Sequence, residues 1–112
     1  MSDTTSHDLT SLPASETELA DAAQRQRIAA ARRRAEALRH LRDGDIAAAK
    51  QTFAIALAEH PADVESLYQL GLLALTQERE PLRAKACFCA VLSIDPTHAA
   101  ADRQLRDHYL GA

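Results

Sequence analysis

The feature that most constrains this fold is a set of helix-type residues that occurs twice at one constant offset. In the segment 64–96, one apolar stripe precedes the break Glu78-Arg79-Glu80-Pro81 and another follows it, both at helical spacing. The residues of the second stripe lie 35 positions after an earlier set: Ala84, Phe88, Val91, Leu92 and Pro96 follow Ala49, Phe53, Ala56, Leu57 and Pro61. These positions suit helix interiors and helix ends, so the sequence predicts two copies of a helical hairpin.

Composition favours an all-α fold. Hydrophobic residues make up 46% of the chain but aromatic residues only 4%, so the apolar content is mostly Ala and Leu. Alanine has the highest helix propensity and lets helix axes approach closely. We therefore predict a short α-α superhelix of hairpins within a single domain, 15–112.

A tail and a long helix are predicted before the repeats. Residues 1–14 are polar and are expected to be disordered. Ser15 and Glu18 form a capping-box pattern, and Gly44 supplies a stop signal, so one helix is predicted from Glu16 to about Asp43. Its N-terminal half is weakly apolar, and we expect it to project from the body or to pack against a partner helix.

A capping helix is predicted at the other end, over 99–110. Asp95 is the expected N-cap, and Pro96 is tolerated in a first helical turn. The helix is short and polar enough to shield the last repeat from water. His98 and Asp102 are four residues apart, so they are expected to form a surface ion pair rather than to bind a metal.

The second hairpin resembles the tetratricopeptide repeat (TPR) family, whose period is near 34 residues. The positions that carry the resemblance are Leu67, Leu70, Gly71 and Ala74, followed by Ala84, Phe88, Val91 and Pro96. Gly71 would allow the facing helix to approach closely, and Ala84 would do the same from the other side. The repeats are placed at about 31–63 and 64–98.

The first helix of the first repeat fits the family less well, and two frames compete. Family spacing puts Arg33, Glu36, Ala37 and His40 on the buried positions, whereas a shift of one residue puts Arg34, Ala37, Leu38 and Leu41 there. An unpaired buried carboxylate costs several kcal/mol, so the shifted frame is predicted.

Family members bind peptides or partner proteins along the concave face of their first helices, and the resemblance implies such a face here. The expected binding residues are Glu65, Tyr68, Gln69, Leu72, Leu75 and Thr76, joined by Arg32, Ala35, Arg39 and Arg42. The Lys and Asn clamp for heat-shock chaperones is not matched, because the chain has no Asn and Leu72 occupies a clamp-equivalent position.

The many arginines of the long helix have three interpretations. The favoured one is a solvated face paired with Glu36 and other acids, and the next is a basic groove for an acidic partner segment. Nucleic acid is disfavoured because no aromatic residue is interleaved and the net charge is −3. The sequence has no run of about 18 apolar residues and no secretory signal. We therefore expect a cytoplasmic protein that does not associate with membranes.

No catalytic motif is recognised, so neither an enzyme nor a bound cofactor or metal is expected. Cys87 and Cys89 are two residues apart on one helix and are expected to be unpaired, one packing near Phe88 and one exposed. Three functions remain: an interaction module with a protein or peptide partner, a homodimer through the long helix or an open repeat edge, and, by analogy of size and fold, a small chaperone for a bacterial secretion substrate.

Overall fold

The computed structural model describes residues 15–109, which fold into five α-helices with no strand in that range. In chain order they are α1 (Glu16–Arg42), α2 (Ile46–Glu59), α3 (Val64–Thr76), α4 (Pro81–Ile94) and α5 (Ala99–Tyr109). The all-α prediction is confirmed: α1 and α2 form one packed hairpin, and α3 and α4 form another. The predicted disordered tail, 1–14, lies outside the described residues.

The long helix α1 begins and ends close to where the sequence predicts. The Glu18 backbone N–H donates to Ser15 Oγ over 3.2 Å, which is the first half of a capping box. At the other end Gly44 has a φ of 79°, in the left-handed region that glycine favours, and its N–H donates to the Leu41 carbonyl. With 27 residues, α1 is about 40 Å long, nearly twice the length of α2.

The two hairpins bury equivalent residues of their second helices. In α2 and in α4, three of the four apolar positions matched by the 35-residue offset have no exposed surface: Ala49, Phe53 and Ala56, then Ala84, Phe88 and Val91. The fourth position, Leu57 and Leu92, is half-buried. Phe53 belongs to a cluster with Ala37 and Leu73, whereas Phe88 belongs to a cluster with Ala74 and Ala101. Three of the repeated apolar residues are therefore core residues in both copies.

Gly71 lies where α3 and α4 approach each other closely. A Cβ atom at this position would be 2.7 Å from Phe88 Cε1 and 3.1 Å from Cys87 Cβ. The expected structural reason for this glycine is confirmed, because the facing ring occupies the space that a side chain would need.

The shifted frame for α1 is also confirmed. Ala37 is fully buried, and Leu38 and Leu41 pack on the cluster around Phe53. Glu36 keeps 39% of its side-chain surface exposed, which removes the cost of burying a lone carboxylate.

Two predictions about the start of α5 are wrong. Asp95 accepts hydrogen bonds from the N–H and hydroxyl of Thr97, at 3.1 and 2.6 Å, instead of capping the helix. His98 is the capping residue, because its Nδ1 accepts the Ala101 N–H over 3.1 Å. His98 precedes the first helical residue, so it shares no helix face with Asp102; its Nε2 lies 3.0 Å from Glu65 Oε1 on α3. Asp102 pairs with Arg106 instead, at 2.9 Å.

Candidate protein-interaction face

Ten residues are predicted from the sequence for partner binding; Ala35 is small and exposed, and we refer to the other nine as the predicted face. They are Arg32, Arg39 and Arg42 on α1, with Glu65, Tyr68, Gln69, Leu72, Leu75 and Thr76 on α3. None is fully buried: the three arginines, Glu65 and Thr76 are exposed, and the other four are half-buried. No hydrogen bond or ion pair links the α1 members to the α3 members among the described residues.

The α1 arginines divide into paired and unpaired groups. Arg33 lies 3.3 Å from Glu36 and 3.5 Å from Glu59, and Arg34 donates to Asp63. Within residues 15–109, by contrast, none of the three arginines of the predicted face has an acidic partner within 4.0 Å. The predicted pairing with Glu36 therefore holds for Arg33 and leaves the arginines of the predicted face available.

The apolar members on α3 contribute to the core as well as to the surface. The Tyr68 ring lies 5.7 Å from the Phe88 ring and 5.1 Å from the His98 ring, measured between centroids. Leu72 and Leu75 pack on the same core cluster, which α4 and α5 share with α3. Substituting these three residues would therefore change stability as well as binding, which limits their use in binding experiments.

The polar members on α3 are partly engaged within the fold. Glu65 is hydrogen-bonded to His98, and the Thr76 hydroxyl donates to the Leu72 carbonyl over 2.7 Å. Gln69 is half-buried, and its side chain has no hydrogen-bond partner among the described residues. On this helix, Gln69 and Thr76 are the positions that can be altered with the least damage to the core.

A buried polar network that the sequence analysis missed fixes α1 against the start of α3. Asp63 is only 7% exposed, and it accepts hydrogen bonds from the Arg34 guanidinium and from the Ser66 hydroxyl. Ser66 itself is fully buried. The sequence did contain a signal for this network: the shifted frame puts Arg34 on the buried side of α1, and a buried cation requires a carboxylate partner.

A second set of ion pairs joins the two hairpins near the other end of α3. Lys50 on α2 donates to Glu78, which also lies 3.8 Å from Arg83 on α4. These groups line a cavity of about 200 Å³ that also includes Cys87. Burial raises the pKa of the Cys87 thiol, and the nearby Arg83 charge opposes part of that effect. Both cysteines are free, Cys87 half-buried and Cys89 exposed, as predicted.

The N-terminal half of α1 is flanked by two open depressions near the end of α2. Both have mixed linings. The one of about 410 Å³ is lined by Ala22, Arg25, Gln26, Ala29, Ala58 and Glu59, and the one of about 330 Å³ by Gln24, Arg27, Ile28, Ala31, Arg34, His60 and Asp63. Leu19 lies beyond them and is 58% exposed. This part of α1 therefore has apolar surface that neither hairpin covers.

Comparison with known proteins identifies no relative. No family model, no curated protein and no solved structure matches this chain. Within residues 15–109, no helix has the length and apolar character needed to cross a bilayer. In the same range, no three His, Cys, Asp or Glu side chains are grouped as metal ligands would be.

Proposed function

We propose that this chain is a non-catalytic interaction module that binds a segment of a partner protein along the predicted face. The proposal treats the hairpins as tetratricopeptide-like repeats, about 31–63 and 64–98, and gives the module an adaptor or chaperone role in the cytoplasm. An extended or helical segment is the type of partner that such a face accommodates.

The observation that carries the proposal is the different use of the first and second helix in each hairpin. The second helices, α2 and α4, each supply three of their four repeated apolar residues to the core. On α1, helical periodicity puts Arg32 and Arg39 on the side opposite Ala30 and Ala37, which are fully buried. On α3 it puts Gln69 and Thr76 well away from the buried position of Gly71. The first helices thus present polar residues with free donors beside half-buried apolar ones.

That combination is typical of interaction sites. Apolar side chains such as Leu72 contribute area, and unpaired arginines contribute directed hydrogen bonds to a partner's carboxylates or carbonyls. Arginine and tyrosine are also residue types enriched among those that dominate binding energy.

A position-specific photo-crosslinking experiment in the native cell tests this function. A photoreactive phenylalanine analogue is placed at Gln69 or Thr76 on the predicted face, and at Gln51 or Ala86 on exposed positions of α2 and α4 as matched controls. We expect adducts of one discrete mass at the first two positions and none at the controls. Equal adducts at all four positions, or adducts only at the controls, would refute the use of this face.

A homodimer through α1 is a second candidate, favoured by the exposure of Leu19 and the open depressions beside it. A helix pair formed there would bury Leu19 and Ala23 of both copies. Light-scattering mass across a concentration series tests this candidate, with Leu19→Glu plus Ala23→Glu as the disrupting variant. A constant monomer mass for the unmodified chain would exclude it.

A further inference from the structure

One face of α1 is exposed along about four helical turns and has the spacing of a helix-packing seam. Ile28, Arg32, Ala35, Arg39 and Arg42 follow one another at alternating intervals of four and three residues, and every one of them is exposed. We call these five residues the α1 seam. A second helix packs along such a spacing because successive members stay on one side of the helix.

The α1 seam is cationic and contains no acid. Its three arginines have no acidic partner within 4.0 Å in the described part of the chain, and they span about 15 Å of helix axis. The neighbouring Arg33 and Arg34, which point away from the seam, are already paired. The arginines of the seam therefore offer planar donors suited to bidentate contact with carboxylates.

Apolar groups occupy the remaining positions of the seam. Ile28 is 42% exposed and, with Ala31, forms the apolar edge of the depression of about 330 Å³. The rest of the lining is polar: Gln24, Arg27, Arg34, His60 and Asp63. An apolar side chain on a partner helix could pack on Ile28 and Ala31 at this edge while neighbouring carboxylates meet Arg32 and Arg39.

We propose that the partner of this face is an acidic amphipathic helix of another protein, packed along the α1 seam. The proposal rests on the proposed function and names the chemical class of its partner. It requires carboxylates at alternating spacings of three and four residues, with an apolar residue opposite Ile28. A nucleic acid would also carry negative charge, but it has no helical spacing to match the seam and no apolar side chain for the depression.

A designed peptide is the probe for this inference. It is a fluorescent, alanine-based helix of about six turns with Glu at three seam-matched positions and Leu at two. One control peptide has the same composition with the Glu positions scattered around the helix, and a single-stranded oligouridine RNA is the second control. Binding is measured by fluorescence anisotropy at about 0.05 M and about 0.5 M salt.

The protein variants are chosen so that only charge on the exposed surface changes. Arg32→Glu with Arg39→Glu reverses two charges in the α1 seam, and Lys85→Glu with Arg103→Glu reverses two exposed charges elsewhere. Arg, Lys and Glu have similar helix propensities, so circular dichroism should report the same helix content for all. We expect the seam variant to bind the patterned peptide at least about tenfold more weakly and the control variant within about twofold of the unmodified chain.

Three results would overturn the inference. They are equal binding of the patterned and scattered peptides, tighter binding of RNA than of the patterned peptide, and a dimer lost in the seam variant with no peptide binding. The last would mean that the acidic N-terminal turns of a second α1 occupy the seam. None of them affects the crosslinking result at Gln69 and Thr76, so failure of this inference is distinguishable from failure of the proposed function.

Discussion

The close approach of α3 and α4 at Gly71 gives the sharpest stability prediction. In Gly71→Ala the new methyl carbon would be 2.7 Å from Phe88 Cε1 and 3.0 Å from Cδ1, whereas carbon contacts are comfortable at about 3.5–4.0 Å. The ring cannot swing into solvent, because Phe88 has no exposed surface. Overpacking of this kind costs about 1–3 kcal/mol, and replacing a helical glycine by alanine returns about 0.5–1 kcal/mol.

The expected net result is a loss of about 1 kcal/mol in the free energy of unfolding, or about 4–8 °C in Tm. Urea denaturation followed by circular dichroism measures it. Ala86→Gly, at an exposed position of α4, is the matched control that isolates helix propensity. Adding Phe88→Leu to the Gly71→Ala variant should relieve the clash, so that the two changes together cost less than their sum. The reasoning is refuted if Gly71→Ala is as stabilising as Ala86→Gly is destabilising.

Three further predictions concern the polar groups and the cysteines. Asp63→Ala should lower the free energy of unfolding by about 2–4 kcal/mol, because it leaves Arg34 and the buried Ser66 hydroxyl unpaired. Ser66→Ala should lower it by only about 1 kcal/mol, and equal losses in urea titrations would contradict this account of the network. His98→Ala should cost about 1 kcal/mol by removing the cap of α5, and hydrogen exchange should show lost protection at Ala101 and its neighbours in α5 without a comparable change in α2. Iodoacetamide near neutral pH should modify the exposed Cys89 before Cys87, whose thiol pKa is raised by burial. The fast phase of alkylation, followed by mass spectrometry, should be almost unchanged in Cys87→Ser, and its disappearance would refute the assignment of this phase to Cys89.

The sequence was informative wherever one residue type has a local structural role. Ser15 and Gly44 were correctly predicted to mark the two ends of α1, because helix capping and a left-handed backbone conformation depend on neighbouring residues alone. The 35-residue offset identified Phe53 and Phe88 as core residues, since a repeated hairpin buries equivalent positions. The shifted frame of α1 followed from the cost of burying a charge.

Contacts between distant parts of the chain were beyond that reasoning. Arg34 is hydrogen-bonded to Asp63, which follows it by 29 residues in the sequence, and His98 is hydrogen-bonded to Glu65, which precedes it by 33 residues. Helix-face rules apply only when both residues lie inside one helix. They gave the wrong partner for His98, because this residue precedes α5 and does not pair with Asp102. The predicted face was named from the family resemblance, but the packing of Tyr68 and Leu72 on the core cluster around Phe88 became visible only in the structure.

The order of helix contacts has a consequence for how this protein reaches its fold. In the described part of the chain, the extensive contacts join consecutive helices: α1 with α2, α2 with α3, α3 with α4, and α4 with α5. Such a topology closes only short loops, so folding within microseconds to milliseconds is expected. During synthesis, the α1–α2 hairpin can form before α3 has left the ribosome, although the Asp63 carboxylate that neutralises Arg34 arrives only with the start of α3. Synthesis of Asp63 would therefore complete the ion pair that joins α1 to the start of α3.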